Sequence, residues 1–265
     1  VSELKPPRAS KALAEHWDMA VMSKTLATIE VHADFPYELS EAKLGNIFTE
    51  EAYAFFQKLQ FKNLLSKFDV TAPANQVEDG FEQITDYKKA EKVLDQAKES
   101  TCVGAVIFQN TENVLPLFAN EAAIGGIGLC FDEEHAYCIE VTEQITKEFL
   151  LEKLSKLNES CGRFVMFDIK EAMKWLPIKN QKHCFDATVA AYLLNPLKND
   201  YTYEDVAREQ LNIVIEEKSE AYVKVCYEAY TAFKGSDLLY KKLEETQMLH
   251  LFEDIEMPLV FTLYD

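Results

Sequence analysis

The chain has 265 residues, 48% of them hydrophobic and 27% charged, a balance that fits a folded globular protein and excludes a disordered one. No apolar run approaches the roughly 20 residues of a membrane span, and Lys5-Pro-Pro-Arg8 leads into a helix rather than a signal peptide. A formal net charge of −18 argues against a general grip on nucleic acid, because phosphate contacts need a basic face. The charge is uneven: residues 1–68 hold 8 Lys/Arg against 9 Asp/Glu, and residues 69–265 hold 19 against 36. Contact with nucleic acid is therefore expected to be strongest near the N-terminus. The chain opens on Val1 without a Met and stops at Asp265 without a polar tail, so it is expected to be a piece of something longer.

In chain order, Pro7 suits a first helical turn, and Leu13, Trp17, Ala20, Val21 and Leu26 mark the apolar face of a helix over 7–27. Residues 28–48 read as a loop, with a short helix near Ser40. Thr49-Glu-Glu-Ala is a capping pattern that opens a helix through Phe55, Phe56, Leu59 and Phe61. A polar stretch over 69–85, with Ala72-Pro-Ala-Asn75 and Glu78-Asp-Gly80, reads as a linker, and a short helix follows near 86–99. Three apolar runs come next, Cys102–Phe108, Ala123–Phe131 and Ala136–Val141, with Asp132-Glu-Glu134 turning between the last two. Thr142 is expected to cap a helix on which Ile145, Phe149, Leu150, Leu154 and Leu157 share a face. A fourth strand, Gly162–Phe167, leads into Asp168 and a short helix to Trp175. Helices are expected at 186–194, 202–211, about 219–233 and 237–252. The order β-β-β-α-β-α followed by helices is an α/β pattern similar to the ribonuclease H-like layout.

The chemistry that such a layout can host is limited by its carboxylates. A two-metal 3′–5′ exonuclease needs about four of them converging on Mg²⁺ or Mn²⁺, since hard cations take oxygen ligands. One pair comes as Asp-x-Glu on the first strand, a third from the strand or helix near the middle, and a fourth from a late helix as Tyr-x-x-x-Asp. Here the first strand reads Val103-Gly-Ala-Val-Ile-Phe-Gln-Asn-Thr-Glu112 and presents Ile107 and Gln109, neither of which carries charge. In the late helix, Cys226, Thr231 and Lys234 stand four residues after Tyr222, Tyr227 and Tyr230, so no Tyr-x-x-x-Asp is found. Asp168 alone falls where a metal carboxylate belongs, and it is equally a good helix N-cap. Neither a catalytic residue nor a metal site is expected. Glu112 with Glu228 or Asp237 stands as a substitute ligand set. Restoring the charges at Ile107 and Gln109 is expected not to restore trimming, the late carboxylate being absent.

The other reactive residues carry less. The six cysteines (102, 130, 138, 161, 184 and 226) form no CxxC pair and no Cys/His metal spacing, and read as reduced thiols in apolar surroundings. Gly125-Gly-Ile-Gly128 lacks the GxGxxG spacing of a phosphate cradle and reads as close strand packing. The five histidines are scattered. Asp186 begins a helix, where a carboxylate favours the dipole.

Five segments, in order, resemble bacterial DNA polymerase I of family A. His183-Cys-Phe-Asp-Ala-Thr-Val-Ala-Ala-Tyr-Leu-Leu-Asn-Pro196 resembles its "FDT…AYLLNP" segment, and Phe164-Val-Met-Phe-Asp-Ile-Lys-Glu-Ala172 resembles its second exonuclease motif in the Bacillus form. Glu256-Met-Pro-Leu-Val-Phe-Thr-Leu263 is similar to the entry into the polymerase domain. Met22–Ile29 and Phe56–Leu65 are similar to the close of the 5′-nuclease domain. The resemblance implies that residues 1–68 are the helical end of a 5′-nuclease domain and that 69–100 are a linker and short helix. It also implies that 101–265 are a ribonuclease H-like, DnaQ-like 3′–5′ exonuclease domain. With Ile107, Gln109 and Asp168 at vestigial exonuclease positions, the resemblance points to a catalytically silent scaffold between the 5′-nuclease and polymerase domains of one chain. The alternatives are a residual metal-dependent proofreading exonuclease and a module recruiting repair proteins. No cofactor is expected for this segment, although the parent polymerase would use Mg²⁺. DNA contact through the parent enzyme, no membrane contact, a monomer and a bacterial cytoplasmic location complete the expectation.

Overall fold

Helix α1 (Pro7–Glu15) and helix α2 (Trp17–Ala27) are separated at His16, so the single helix expected over 7–27 is two. Helix α3 (Glu50–Lys58) starts where expected, and the Thr49 hydroxyl accepts from the Ala52 N–H at 3.2 Å. No residue of α2 is buried; Trp17 is 52% and Leu26 80% exposed, so its apolar side chains are not part of a core. The computed structural model describes residues 7–33, 43, 45, 47–59, 61, 64, 76–110, 123–216 and 218–264. The helix expected near Ser40 lies outside these. The chain divides into two compact units, Val1–Asp69 and Val70–Asp265.

The second unit is a six-stranded sheet with helices on both faces. Its strands are β1 (Phe81–Ile84), β2 (Cys102–Gln109), β3 (Ile124–Cys130), β4 (Ala136–Glu140), β5 (Arg163–Met166) and β6 (Cys184–Asp186), in the order β1-β4-β3-β2-β5-β6. Only β3 runs against its neighbours; β1 with β4, β2 with β5, and β5 with β6 pair in parallel. Residues 76–84, expected within a linker, instead form a 3₁₀ turn and the edge strand β1. The polar letters of Phe81-Glu-Gln-Ile84 hid a strand whose solvent-side residues face water. Strand β6 ends on Asp186, the residue expected to begin a helix; its three residues are too few for a period-two pattern.

The remaining helices follow from local rules. Asp86 caps α4 (Tyr87–Ala97) by accepting from the Lys89 N–H at 2.9 Å. Thr146, not Thr142, caps α5 (Lys147–Ser160); the Thr142 hydroxyl instead accepts from Ile145 N–H in the preceding turn. Short helix α6 (Ile169–Ala172) follows β5, and α7 (Ala187–Leu194) follows β6. Short helix α8 (Tyr203–Val206) runs into a π-helical turn at Ala207–Leu211. The two helices expected around 219–252 are largely one, α9 (Ala221–Glu245). The Gly235-Ser236 pair that falls between the two expected helices is buried inside it, with Gly235 against Val206, and a left-handed residue comes later, at Gln247 with φ 60°. Helix α10 (Met257–Thr262) closes the unit.

Alternation along the central strands sends Val103, Ala105, Ile127 and Leu129 to one face, against α4 and α5. Val106 and Cys130 face the other way, towards Val225, Cys226 and Ala229 of α9. Two glycines set how close α9 lies. A Cβ on Gly104 would meet the Ala229 carbonyl oxygen at 2.3 Å, and one on Gly128 would meet Val225 Cγ1 at 2.7 Å. The glycine run over 125–128 therefore includes a seat for α9. All six cysteines are free thiols and five are buried.

Candidate functional site

Strands β2 and β5 are parallel neighbours, so both point their carboxyl ends at one edge of the sheet, where a crevice forms beside the following helix. A cavity of about 430 Å³ opens there. It is lined by Val106, Ile107 and Gln109 from β2, by Met166 to Asp168, Glu171 and Trp175 from β5 and the turn after it, and by Glu228 from α9. Tertiary structure thus brings Ile107, Gln109 and Asp168 together. The pairing of β2 with β3 slips between Phe108 and Gln109, a bulge that re-aims the end of the strand.

Asp168 is held in an unusual backbone conformation, φ 50° and ψ 66°, in the left-handed region. Two residues of the β6–α7 corner support it. The Asp168 N–H donates to the Thr188 hydroxyl at 3.2 Å, and the next N–H, of Ile169, donates to Asp186 Oδ2 at 2.8 Å. Asp186 Oδ1 accepts from the N–H groups of Thr188 and Val189. Asp186 therefore caps α7 and ties in the start of α6. Burial pushes its carboxyl up to about 6, against the opposing pull of these backbone donors. Asp168 itself is an N-cap, accepting from Glu171 N–H at 3.2 Å.

Glu228 is a substitute ligand outside the motif spacing. It lies four residues after Lys224, not after a tyrosine, so a search for Tyr-x-x-x-Asp passes over it. The close seat of α9 on Gly104 and Gly128 nonetheless carries it to the same cavity. Of the substitute ligands that the sequence offers, Glu228 is the one among the described residues that lines this cavity. Burial, with a smaller contribution from Glu204, pushes its carboxyl up to about 7. Tyr203 packs edge-on against Phe167 beside this group, and burial raises its phenol above the usual range. Of the other substitute ligands, Glu112 lies outside the described residues. Asp237 is elsewhere, paired with Arg163 at 2.7 Å, where the guanidinium also sits over the ring of Tyr240.

A two-ion centre does not fit these residues. Among the described residues, no three His, Cys, Asp or Glu side chains come together as a metal-holding group. The two strand positions nearest Asp168 carry an isoleucine and an amide.

No family model matches the chain. It is 26% identical over 288 residues, 99% of its length, to DNA polymerase I of Bacillus subtilis, of which the match covers 31%. It is 28% identical over 203 residues to DNA polymerase I of Geobacillus stearothermophilus, covering 74% of this chain and 21% of that protein. The chain spans about a third or less of the curated relatives it matches. Among solved structures, the polymerase domain of Pol1 from M. smegmatis, in complex with DNA primer-template and dNTP, matches with a TM-score of 0.54 at 17% identity. That match covers 69% of this chain and 31% of that one. NrnC of Brucella melitensis bound to pGG matches with a TM-score of 0.51 at 13% identity, over 69% of this chain and 90% of its own. The chain's fold is accordingly ribonuclease H-like, of the DnaQ-like exonuclease type, and most of its length is similar in sequence to an internal part of bacterial DNA polymerase I.

Proposed function

We propose that residues 101–265 are the exonuclease-like domain of a DNA polymerase I and act as a catalytically silent scaffold between its 5′-nuclease and polymerase segments. In this reading residues 1–68 are the helical close of the 5′-nuclease segment and the parent enzyme works in DNA replication and repair. The observation that carries it is the end of β2. Ile107 and Gln109 line the cavity beside Asp168 and bring no negative charge, so two divalent ions would lack the pair of ligand charges expected from the first strand. The acidic surface of the second unit supports the same reading, since it would keep DNA on neighbouring segments by repulsion.

One observation favours the rival, a residual exonuclease: Asp168 and Glu228 share the cavity, which is one carboxylate more than motif spacing suggests. A 3′-end-labelled single strand incubated with Mg²⁺ or Mn²⁺ separates the two. No trimming is the scaffold outcome. Metal-dependent trimming that disappears in Asp168→Ala would establish the rival.

A further inference from the structure

We propose that a groove at the amino ends of β5 and β6 binds a small aromatic monocarboxylate. This goes beyond the scaffold reading, because the groove lies at the other end of these strands from the cavity that Asp168 lines.

The groove holds about 700 Å³, within the range of small-molecule clefts. Gly162 and Arg163 border it at the start of β5, and Cys184 and Phe185 border it from β6. Its apolar side is made of Phe185, Phe252, Met257 and Phe261, all buried, with the ring centroids of Phe185 and Phe252 4.8 Å apart. A flat aromatic body suits such a wall, since rings that pack on rings gain more than the area they bury.

The polar side selects the head group. The Arg163 guanidinium lies over the Tyr240 ring, 4.7 Å from its centroid, and over the Phe185 ring at 5.7 Å. One of its N–H groups donates to Asp237 at 2.7 Å. Rings and ion pair together fix its plane. A guanidinium has more N–H donors than that one bond uses, set in a planar fork that matches a carboxylate. Lys182 adds a second cation on the β6 side. Glu253 and Asp254 line the groove from the π-helical turn, and Asp254 is paired with His250 at 3.3 Å. These carboxylates oppose any further negative charge beyond what Arg163 and Lys182 hold, so a dianion such as a phosphate ester is disfavoured. An aromatic body with a single carboxylate matches both sides.

Calorimetric titration of the full chain with β-naphthoate tests this, and one saturable site is expected. Affinity is expected to fall by about tenfold for the neutral β-naphthamide and for the dianion β-naphthyl phosphate. Arg163→Lys keeps the charge but loses the fork, and it is expected to weaken β-naphthoate by about tenfold, as is Lys182→Glu. Gln181→Trp puts a large side chain at an exposed position of the lining and is expected to abolish binding. Lys182 and Gln181 are both exposed, so their variants decide the matter even where Arg163→Lys fails to fold. The proposal is overturned by heat that does not saturate, by equal affinity for acid and amide, or by tighter binding of the phosphate. It is also overturned by affinity unchanged in Lys182→Glu and Gln181→Trp, which would place the guest on exposed apolar side chains elsewhere. Trimming of a labelled strand bears only on the scaffold reading, so the two failures read differently.

Discussion

The Asp186 carboxylate accepts the Ile169 N–H at 2.8 Å, joining the end of β6 to the start of α6 directly behind Asp168. Its other oxygen serves Thr188 and Val189. One side chain therefore satisfies three backbone donors from two helix starts. Asp186→Ala strands all three, and at about 1 kcal/mol for each lost bond the expected destabilisation is about 3 kcal/mol. Asp186→Asn, which keeps an acceptor oxygen, is expected to lose less than half of that. Urea denaturation of the three proteins at pH 7 checks it, and equal midpoints would show that the clamp contributes nothing.

Glu228 gives a pH dependence with a definite sign. Burial raises its folded-state pKa to about 7, above the ordinary glutamate value of 4.5. A raised value means the folded state holds the proton more tightly. Its stabilising contribution is full below pH 4.5 and is lost as pH rises through 7. Glu228→Gln is thus expected to be more stable than the parent by about 2 kcal/mol at pH 8, the ideal linkage value discounted for partial exposure. The difference is expected to close at pH 4.5. Denaturation at both pH values is the measurement; a variant less stable than the parent at pH 8 would mean that the carboxylate has a partner.

Because Glu228 lines the same cavity, the double substitution Ile107→Asp with Gln109→Glu has a carboxylate from the late helix to work with. It is expected to lower the melting temperature without metal, since charges crowd a half-buried place, and to recover it with Mn²⁺. The triple variant adding Glu228→Gln is expected to recover much less. A melt of the double variant that ignores Mn²⁺ would show that these positions do not converge on a single ion.

Gly104 tests how α9 is seated. A Cβ there would lie 2.3 Å from the Ala229 carbonyl oxygen and 2.6 Å from the Phe233 nitrogen, both backbone atoms. Gly104→Ala is expected to cost about 2 kcal/mol, within the range for overpacking a filled core, and to shift α9 with its Glu228. Thermal unfolding reads the cost. An unchanged melting temperature would place α9 further from the sheet.

The sequence by itself determined the middle of this protein. The apolar runs of β2, β3, β4 and β5 and the leucine spacing of α5 are local patterns, so strand and helix periods name them directly. It also determined that Ile107 and Gln109 carry no charge and that Asp168 follows a strand. Tertiary structure alone decided the rest. Strand β1 exists because β4 offers it an edge, and β6 because β5 does, since strands of three or four residues gain their order from a partner. Helix α9 runs through Gly235 because burial against Val206 outweighs the weak helix propensity of glycine. Glu228 reaches the cavity because two glycines on different strands let one helix lie close to the sheet. Such contacts, Gly104 with Ala229 and Gly128 with Val225, link residues far apart in the chain, and no local spacing encodes them.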